Sequence, residues 1–403
     1  MSDPHTFHSP VWDRGQPIDA EMMRFTVGDD WLQDRRLVEV DIEGSLAHVD
    51  GLLEAGLLSA ADHRVLRVGL EGLLDAHRAG EWDVEPADED VHSAVERRLT
   101  ERVGEAGQRL HTGRSRNDQI ALDLALWLRA ALAGARAAVE RLAAACDGLA
   151  ARAGDVPLPG YTHLRRAMPS SIGDWICAHA LALRASGGEL DGVSERSRAC
   201  PLGSGAGYGV PLPLAREAVA RALGFAAPAE PVTVVQLTRG RAELAYVTAL
   251  ESIALDLGKL AADLWLFSTE EFGFVRLPPS FTTGSSLMPH KRNPDVVELL
   301  RAHSRQVVAE RAALVDVLRD LPSGYHRDFQ LVKPPLFRAH DRMSAALPLA
   351  ARLLDGLELD QERLRSAALD PALQATARAL ARARAGEPFR AAYRDEAAPP
   401  LTP

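Results

Sequence analysis

Apolar positions recur every three or four residues over several long stretches, and no strand-like alternation of comparable strength accompanies them. The clearest stretch runs from about Arg241 to Phe272. There Val247, Leu250, Ile253, Leu257, Leu260, Leu264 and Phe267 draw one stripe down a helix, with Glu251, Asp256, Lys259 and Asp263 off it. A second begins at Asn117 and Asp118, with Asn117 as candidate N-cap, and continues without proline to about Ala151. A third lies between Pro169 and Pro201. A fourth opens with Asn293 as cap and Pro294 at the first helical position and reaches about Asp320; a fifth follows Pro334 and Pro335. Helices longer than the usual ~8–20 residues predict a bundle. Some, such as Ile120–Leu132, are apolar around much of their circumference, which predicts burial inside an oligomer. The predicted class is all-α. A smaller helical domain covers 1–113, a central long-helix bundle 114–339, and a short C-terminal helical domain 340–403, fading into the polar, proline-rich tail Asp395–Pro403.

Composition narrows the function classes. A formal charge of −10 with no long basic run argues against nucleic acid as a main partner. The opening residues are polar, and no run reaches ~18 charge-free apolar residues, so neither a signal peptide nor a membrane span is expected and the cytoplasm is the expected location. Cys146, Cys177 and Cys200 are odd in number and widely spaced, which argues against a disulfide framework or a zinc site.

Five polar segments stand out: Glu89–Glu96 (EDVHSAVE), His111–Asp118 (HTGRSRND), Pro159–Pro169 (PGYTHLRRAMP), Thr282–Asp295 (TTGSSLMPHKRNPD) and Ser323–Lys333 (SGYHRDFQLVK). Loops held by a rigid scaffold are where binding and catalysis concentrate. HTGRSRND sets arginine forks just before a helix N-terminus, an arrangement that favours a carboxylate, although it also reads as a plain helix start. TTGSSLMPHKRNPD packs two serines, a lysine, an arginine and an asparagine into a loop with Leu287–Met288–Pro289 at its middle, an apolar content that a merely solvated loop has no need of. His163 by itself reads first as a surface histidine leading a helix, as a lone histidine usually does. The glycines of Leu202–Gly209 (LGSGAGYG) alternate and follow no strand, so they indicate a turn with close backbone approach rather than a dinucleotide fingerprint. No HxxxH or HxH pair with suitable partners supports a metal site at the histidines, and no GxSxG supports a serine hydrolase.

GSSLMPHKRNPD resembles the GSSxMPxKxNP signature of the fumarase/aspartase superfamily. HTGRSRNDQ, PGYTHL and EFGFV (Glu271–Val275) narrow the resemblance to the argininosuccinate lyases. It extends from VWDRG near the start and DIEGSLAHV (Asp41–Val49) to GEPFRAAY (Gly386–Tyr393). It is strongest to the branch carrying AGYG, an RG-basic-x-E motif (Arg239–Glu243) and LPSGY-x-RD-x-Q. The resemblance implies a three-domain, mostly helical homotetramer whose long helices form a twenty-helix core. Each active site would be assembled from three subunits, with no metal, nucleotide or organic cofactor.

The implied reaction removes a proton beside a carboxylate and expels a guanidino nitrogen, giving fumarate and arginine. By resemblance Ser285 is the base, with Lys291 and a helix N-terminus supplying positive potential. His163 assists the leaving nitrogen and Glu298 orients it. Ser45, His92, Arg116, Asn117, Thr162, Asn293, Tyr325, Gln330 and Lys333 bind substrate or lie beside it. Arg165 stands where many members carry glutamine, and Thr233–Ala242 replaces an NSxDAVSDRD segment. The chain also ends about where further helices of the third domain would continue in that family. Two other readings therefore stay open: a sibling lyase acting on another N-substituted aspartate, and a catalytically silent structural homologue.

Overall fold

The computed structural model describes residues 19–397, so the VWDRG segment and the last six residues lie outside it. Long helices dominate: Arg116–Ala153, Ile172–Arg196, Arg241–Phe267, Asp295–Leu318 and Lys333–Asp355. Every member of the stripe anticipated on the Arg241 helix, from Val247 to Phe267, is buried. Removing a leucine-sized side chain from water contributes ~1.5–3 kcal/mol, so seven in register outweigh any propensity of the segment. This helix stops at Phe267 rather than Phe272, because Phe272 and Phe274 turn back to pack on Phe267 at ring distances of 6.2 and 5.7 Å.

Two compact units form, each discontinuous in sequence. The first gathers the described part of Met1–Gly134 with Leu190–Thr248 and Ala309–His340; the second gathers Ala135–Glu189, Ala249–Val308 and the described part of Asp341–Pro403. In the first, Leu122 and Leu126 of the Arg116 helix join Ala47, Leu202, Val219, Leu223 and Phe225 in one buried cluster. Gly44 permits this approach, since a Cβ there would lie 2.6 Å from Leu122 Cδ2. In the second, Asp263 and Asp256 on the polar side of the Arg241 helix are bound by Trp175, His179 and Ser186 of the Ile172 helix, at 2.8, 3.2 and 2.6 Å.

Two expected caps are corrected. Ser115, not Asn117, caps the Arg116 helix: its Oγ accepts from the Asn117 N–H at 3.3 Å, and Asp118 Oδ1 accepts from the Ser115 N–H at 2.9 Å. Asp118, three residues along, returns a bond to the Ser115 backbone as the acidic residue of a capping box does. Asn293 is likewise no cap. It pairs with Thr283 in a short two-stranded ladder and donates from Nδ2 to the Gly284 carbonyl at 3.3 Å, while Pro294 offers the carbonyl that starts the helix.

The structure also contains a β-hairpin, Pro157–Thr162 against Arg165–Ser171, in the PGYTHL region. Three prolines and the lack of alternation hide it in the sequence; a tertiary contact, Tyr161 edge-on to Phe272 at 5.5 Å, helps hold it. The Leu202–Gly209 turn is as anticipated: Gly203 and Gly205 adopt positive φ and donate their N–H groups to Asp118 Oδ2 at 2.9 and 2.8 Å. Among the described residues no helix is long and apolar enough to cross a membrane, and the three cysteines are free.

Candidate active site

The first unit contains a cavity of about 120 Å³ lined by His92, Arg116, Asn117, Tyr325, Gln330 and Lys333, six of the residues expected to meet substrate. Three helix starts, one 3-10 turn and, for Tyr325, the loop before that turn deliver them. Asp90 caps the Val91–Val103 helix through the Ser93 N–H at 2.8 Å, while its other oxygen takes Arg116 Nη1 at 2.6 Å. One carboxylate thus locks His92 and Arg116 to each other's helix ends. Gln330 is fixed by donating to the Thr26 and Val27 carbonyls, each at 3.1 Å. Tyr325 packs against Phe329, ring centroids 5.9 Å apart.

Sequence reasoning missed the carboxylates that govern this cavity. Lys333 is buried and pairs with Asp34, at the end of a short helix, and with Asp30 at 2.7 Å. Burial works against its charge, but Asp34 and Asp30 outweigh burial and push the ammonium up to about 12. Asp30 moves to about 7, raised by burial, held back by Lys333 and raised again by Asp34. Nothing in the sequence marked Asp30 and Asp34, because both lie outside the motif-bearing segments. Glu89 and Asp90 sat inside EDVHSAVE and Arg239 inside the RG-basic-x-E motif, so for these a signal existed.

Behind the cavity wall, His92 Nδ1 donates to buried Asp41 Oδ2 at 2.7 Å and lies 3.6 Å from Asp123 Oδ2. Burial opposes its charge; the hydrogen bond to Asp41 and the charges of Asp41, Asp123 and Asp90 overcome it, and the imidazole rises to about 9. Burial, reinforced by Asp41, raises the Asp123 carboxyl well above the carboxylate range. These three side chains bring possible metal-ligand atoms within 4.8 Å of one another. Yet Nδ1 is already committed to the hydrogen bond with Asp41, so the geometry is that of a buried carboxylate–imidazole cluster.

Ser45 takes a different place from the one expected of a substrate contact. It is fully buried and accepts Arg114 Nη1 at 2.9 Å, outside the cavity lining. It supports the loop that carries Arg116.

Thr162, His163, Ser285, Lys291, Asn293 and Glu298 belong to the second unit. His163 and Leu164 form the hairpin tip, both at positive φ (53° and 56°), a conformation that bulky residues hold only at a cost. His163 is therefore not a helix leader: a two-residue turn projects it into solvent. Ser285 Oγ accepts the Leu287 and Met288 N–H groups at 3.2 and 3.0 Å. Lys291 is exposed. Glu298 takes Trp265 Nε1 at 3.3 Å and makes no bond to His163 within the chain. Arg165 is exposed on the hairpin, paired with Thr162 and lining an open groove with Glu271 and Glu362.

A long-helix scaffold with a cavity of paired charges and a serine loop defines a class. A family model described as lyase matches residues 14–309. The fold is also that of crystallised relatives: EDDS lyase in complex with formate (TM-score 0.79, 23% identity, 94% of this chain and 75% of that one) and fumarate lyase:delta crystallin from Brucella melitensis (TM-score 0.74, 22% identity, 90% and 85%). Two much nearer relatives are argininosuccinate lyases. That of Sorangium cellulosum (strain So ce56) is 45% identical over 96% of this chain and 90% of its own length, and that of Stenotrophomonas maltophilia (strain R551-3) is 45% identical over the same shares. The chain belongs to the argininosuccinate lyase family.

Proposed function

We propose that this chain catalyses the reversible elimination of argininosuccinate to arginine and fumarate, in arginine biosynthesis and in the cytoplasm. The observation that carries the reading is the nearly full-length 45% identity to argininosuccinate lyases, with six of the nine expected substrate residues gathered in one cavity. That cavity mixes carboxylates with cations, the complement of a ligand that is itself both.

In the proposed mechanism Ser285 Oγ removes the proton beside the succinyl carboxylate. The two backbone N–H groups on Oγ stabilise the negative charge that a serine base must carry, and Lys291, ahead of the helix start at Asp295, adds positive potential. Thr162 and Asn293 would steady the succinyl carboxylates, while the cavity of His92, Arg116, Asn117, Tyr325, Gln330 and Lys333 holds the remainder. His163 delivers a proton to the departing guanidino nitrogen, with Glu298 as its charge partner. No resident metal or organic cofactor has a step in this scheme.

The assembly proposed is a homotetramer with active sites shared between subunits. Leu181, Leu255, Trp265, Leu299 and Val308 are exposed on the long helices, large apolar side chains suited to burial against other copies. His163, Lys291 and Glu298 are presented to solvent rather than to one another. The decisive assay follows fumarate release from argininosuccinate, adenylosuccinate and aspartate. Turnover of argininosuccinate alone supports the reading. Fumarate from a different succinyl compound would point to a sibling specificity, with Arg165 as first suspect. A folded tetramer silent on all three would be a structural homologue.

A further inference from the structure

We infer that Arg239 binds the α-carboxylate of the arginine half of the substrate, a role that rests on the argininosuccinate reading. The inference comes from pairing off the cations of the cavity. Arg116 is held by Asp90 at 2.6 Å and Glu89 at 3.3 Å. Lys333 lies between Asp30 and Asp34. Arg327 lies 3.5 Å from Glu89 and donates to Gln330 Oε1 at 3.1 Å, and His92 is taken by Asp41. Arg239 lines the same cavity, is only 8% exposed, and its side chain has no hydrogen bond or ion pair among the described residues. Its Nη1 is shut off from water with no acceptor. Glu243, one turn along, is its strongest attraction but makes no ion pair with it, and burial depresses the guanidinium pKa.

A guanidinium cannot shed its proton at physiological pH, so it cannot escape this situation as a lysine or carboxyl would. An unpaired buried cation is strongly unfavourable and persists in a native fold where a ligand completes it. Arg239 also sits in the turn just before the Arg241–Phe267 helix, whose N-terminal N–H groups add positive potential to the same spot.

The charge inventory selects which end of the substrate fits. A succinyl end carries two carboxylates and calls for at least two uncommitted cations, whereas this cavity offers one. An α-amino acid head carries one carboxylate and one ammonium. Arg239 answers the first, and the Asp30/Asp34 pair, two carboxyls against the single Lys333 cation, has one carboxyl in excess to answer the second. The size agrees, because about 120 Å³ is room for a few water-sized groups rather than for a whole argininosuccinate.

The test compares arginine with agmatine, which keeps the amine and guanidine but lacks the carboxylate. In the wild-type enzyme, calorimetry should give arginine at least tenfold tighter binding than agmatine; equal affinity overturns the inference without using any variant. In Arg239→Met, a neutral side chain of similar length, that preference should vanish. The argininosuccinate KM should rise at least tenfold, and fumarate inhibition should stay within twofold. Arg239→Lys should restore part of the preference. A folded Arg239→Met that still prefers arginine, or one that loses fumarate binding instead, overturns the assignment. Wild-type enzyme with no argininosuccinate turnover would sink the functional reading itself, which keeps the two failures distinct.

Discussion

Ser285 Oγ receives two backbone N–H groups, donors that would stabilise the negative charge it carries as a base. Ser285→Ala should therefore lower kcat by roughly 10²–10⁴-fold, the usual worth of a positioned base, while substrate binding by calorimetry stays close to wild type. Near-normal turnover would remove Ser285 from the mechanism. His92 offers a second measurement. Its pKa rises in the fold from 6.5 to about 9, so its contribution to stability is complete below about pH 6.5 and is lost as pH climbs through 9. The linkage amounts to roughly 3 kcal/mol over that window, an order-of-magnitude figure. Urea denaturation between pH 6 and 10 should show this loss in wild type and a flatter profile in Asp41→Asn, where the imidazole no longer has its carboxylate. Matching profiles would mean that Asp41 does not hold the proton on His92.

At the scale of elements, the start of the Arg116 helix depends on Asp118, whose two oxygens accept the Ser115, Gly203 and Gly205 N–H groups. Hydrogen bonds to a charged group contribute ~1.5–3 kcal/mol each, so Asp118→Ala should cost clearly more than Ser115→Ala, a cap loss of about 0.5–2 kcal/mol. Denaturation midpoints rank the two, and the reverse order would deny Asp118 its organising part. The hairpin tip predicts a gain in stability instead. Leu164 is 74% exposed at φ 56°, so Leu164→Gly should stabilise by up to about 1 kcal/mol, read as a higher Tm. A lowered Tm would show that the leucine side chain has a packing role.

At the scale of the whole molecule, Leu181 at 68% and Leu299 at 57% exposure are large apolar groups on long helices. A Leu181→Glu, Leu299→Glu double variant should dissociate the proposed tetramer in analytical ultracentrifugation and lose turnover with it. A tetramer that survives both charges would place the interface elsewhere. Shared sites predict more: mixing inactive Ser285→Ala with inactive His163→Asn after reversible dissociation should recover a fraction of wild-type activity. A mixture as dead as its parents would assign both residues to one subunit's site.

The sequence by itself determined the helices and the family. Seven residues of the Val247–Phe267 stripe and the GSSLMPHKRNPD loop are local patterns, and local patterns survive without coordinates. It also named six of the cavity residues, because His92, Arg116, Asn117, Tyr325, Gln330 and Lys333 sit in motif-dense segments. Only tertiary structure decided which charges cancel. Asp30 and Asp34 meet Lys333 across some three hundred residues, and Asp41 reaches His92 across fifty-one. Pairings at such separations leave no periodic trace, since they depend on how helices pack rather than on what any helix repeats. The caps at Ser115 and Pro294 and the hairpin that carries His163 are local by contrast, made of bonds between residues only a few positions apart, and the structure selected them among local alternatives that the residue types left open. Arg239 joins both sources: its motif was visible in the sequence, and its lack of a counter-charge became visible once every neighbouring cation had found one.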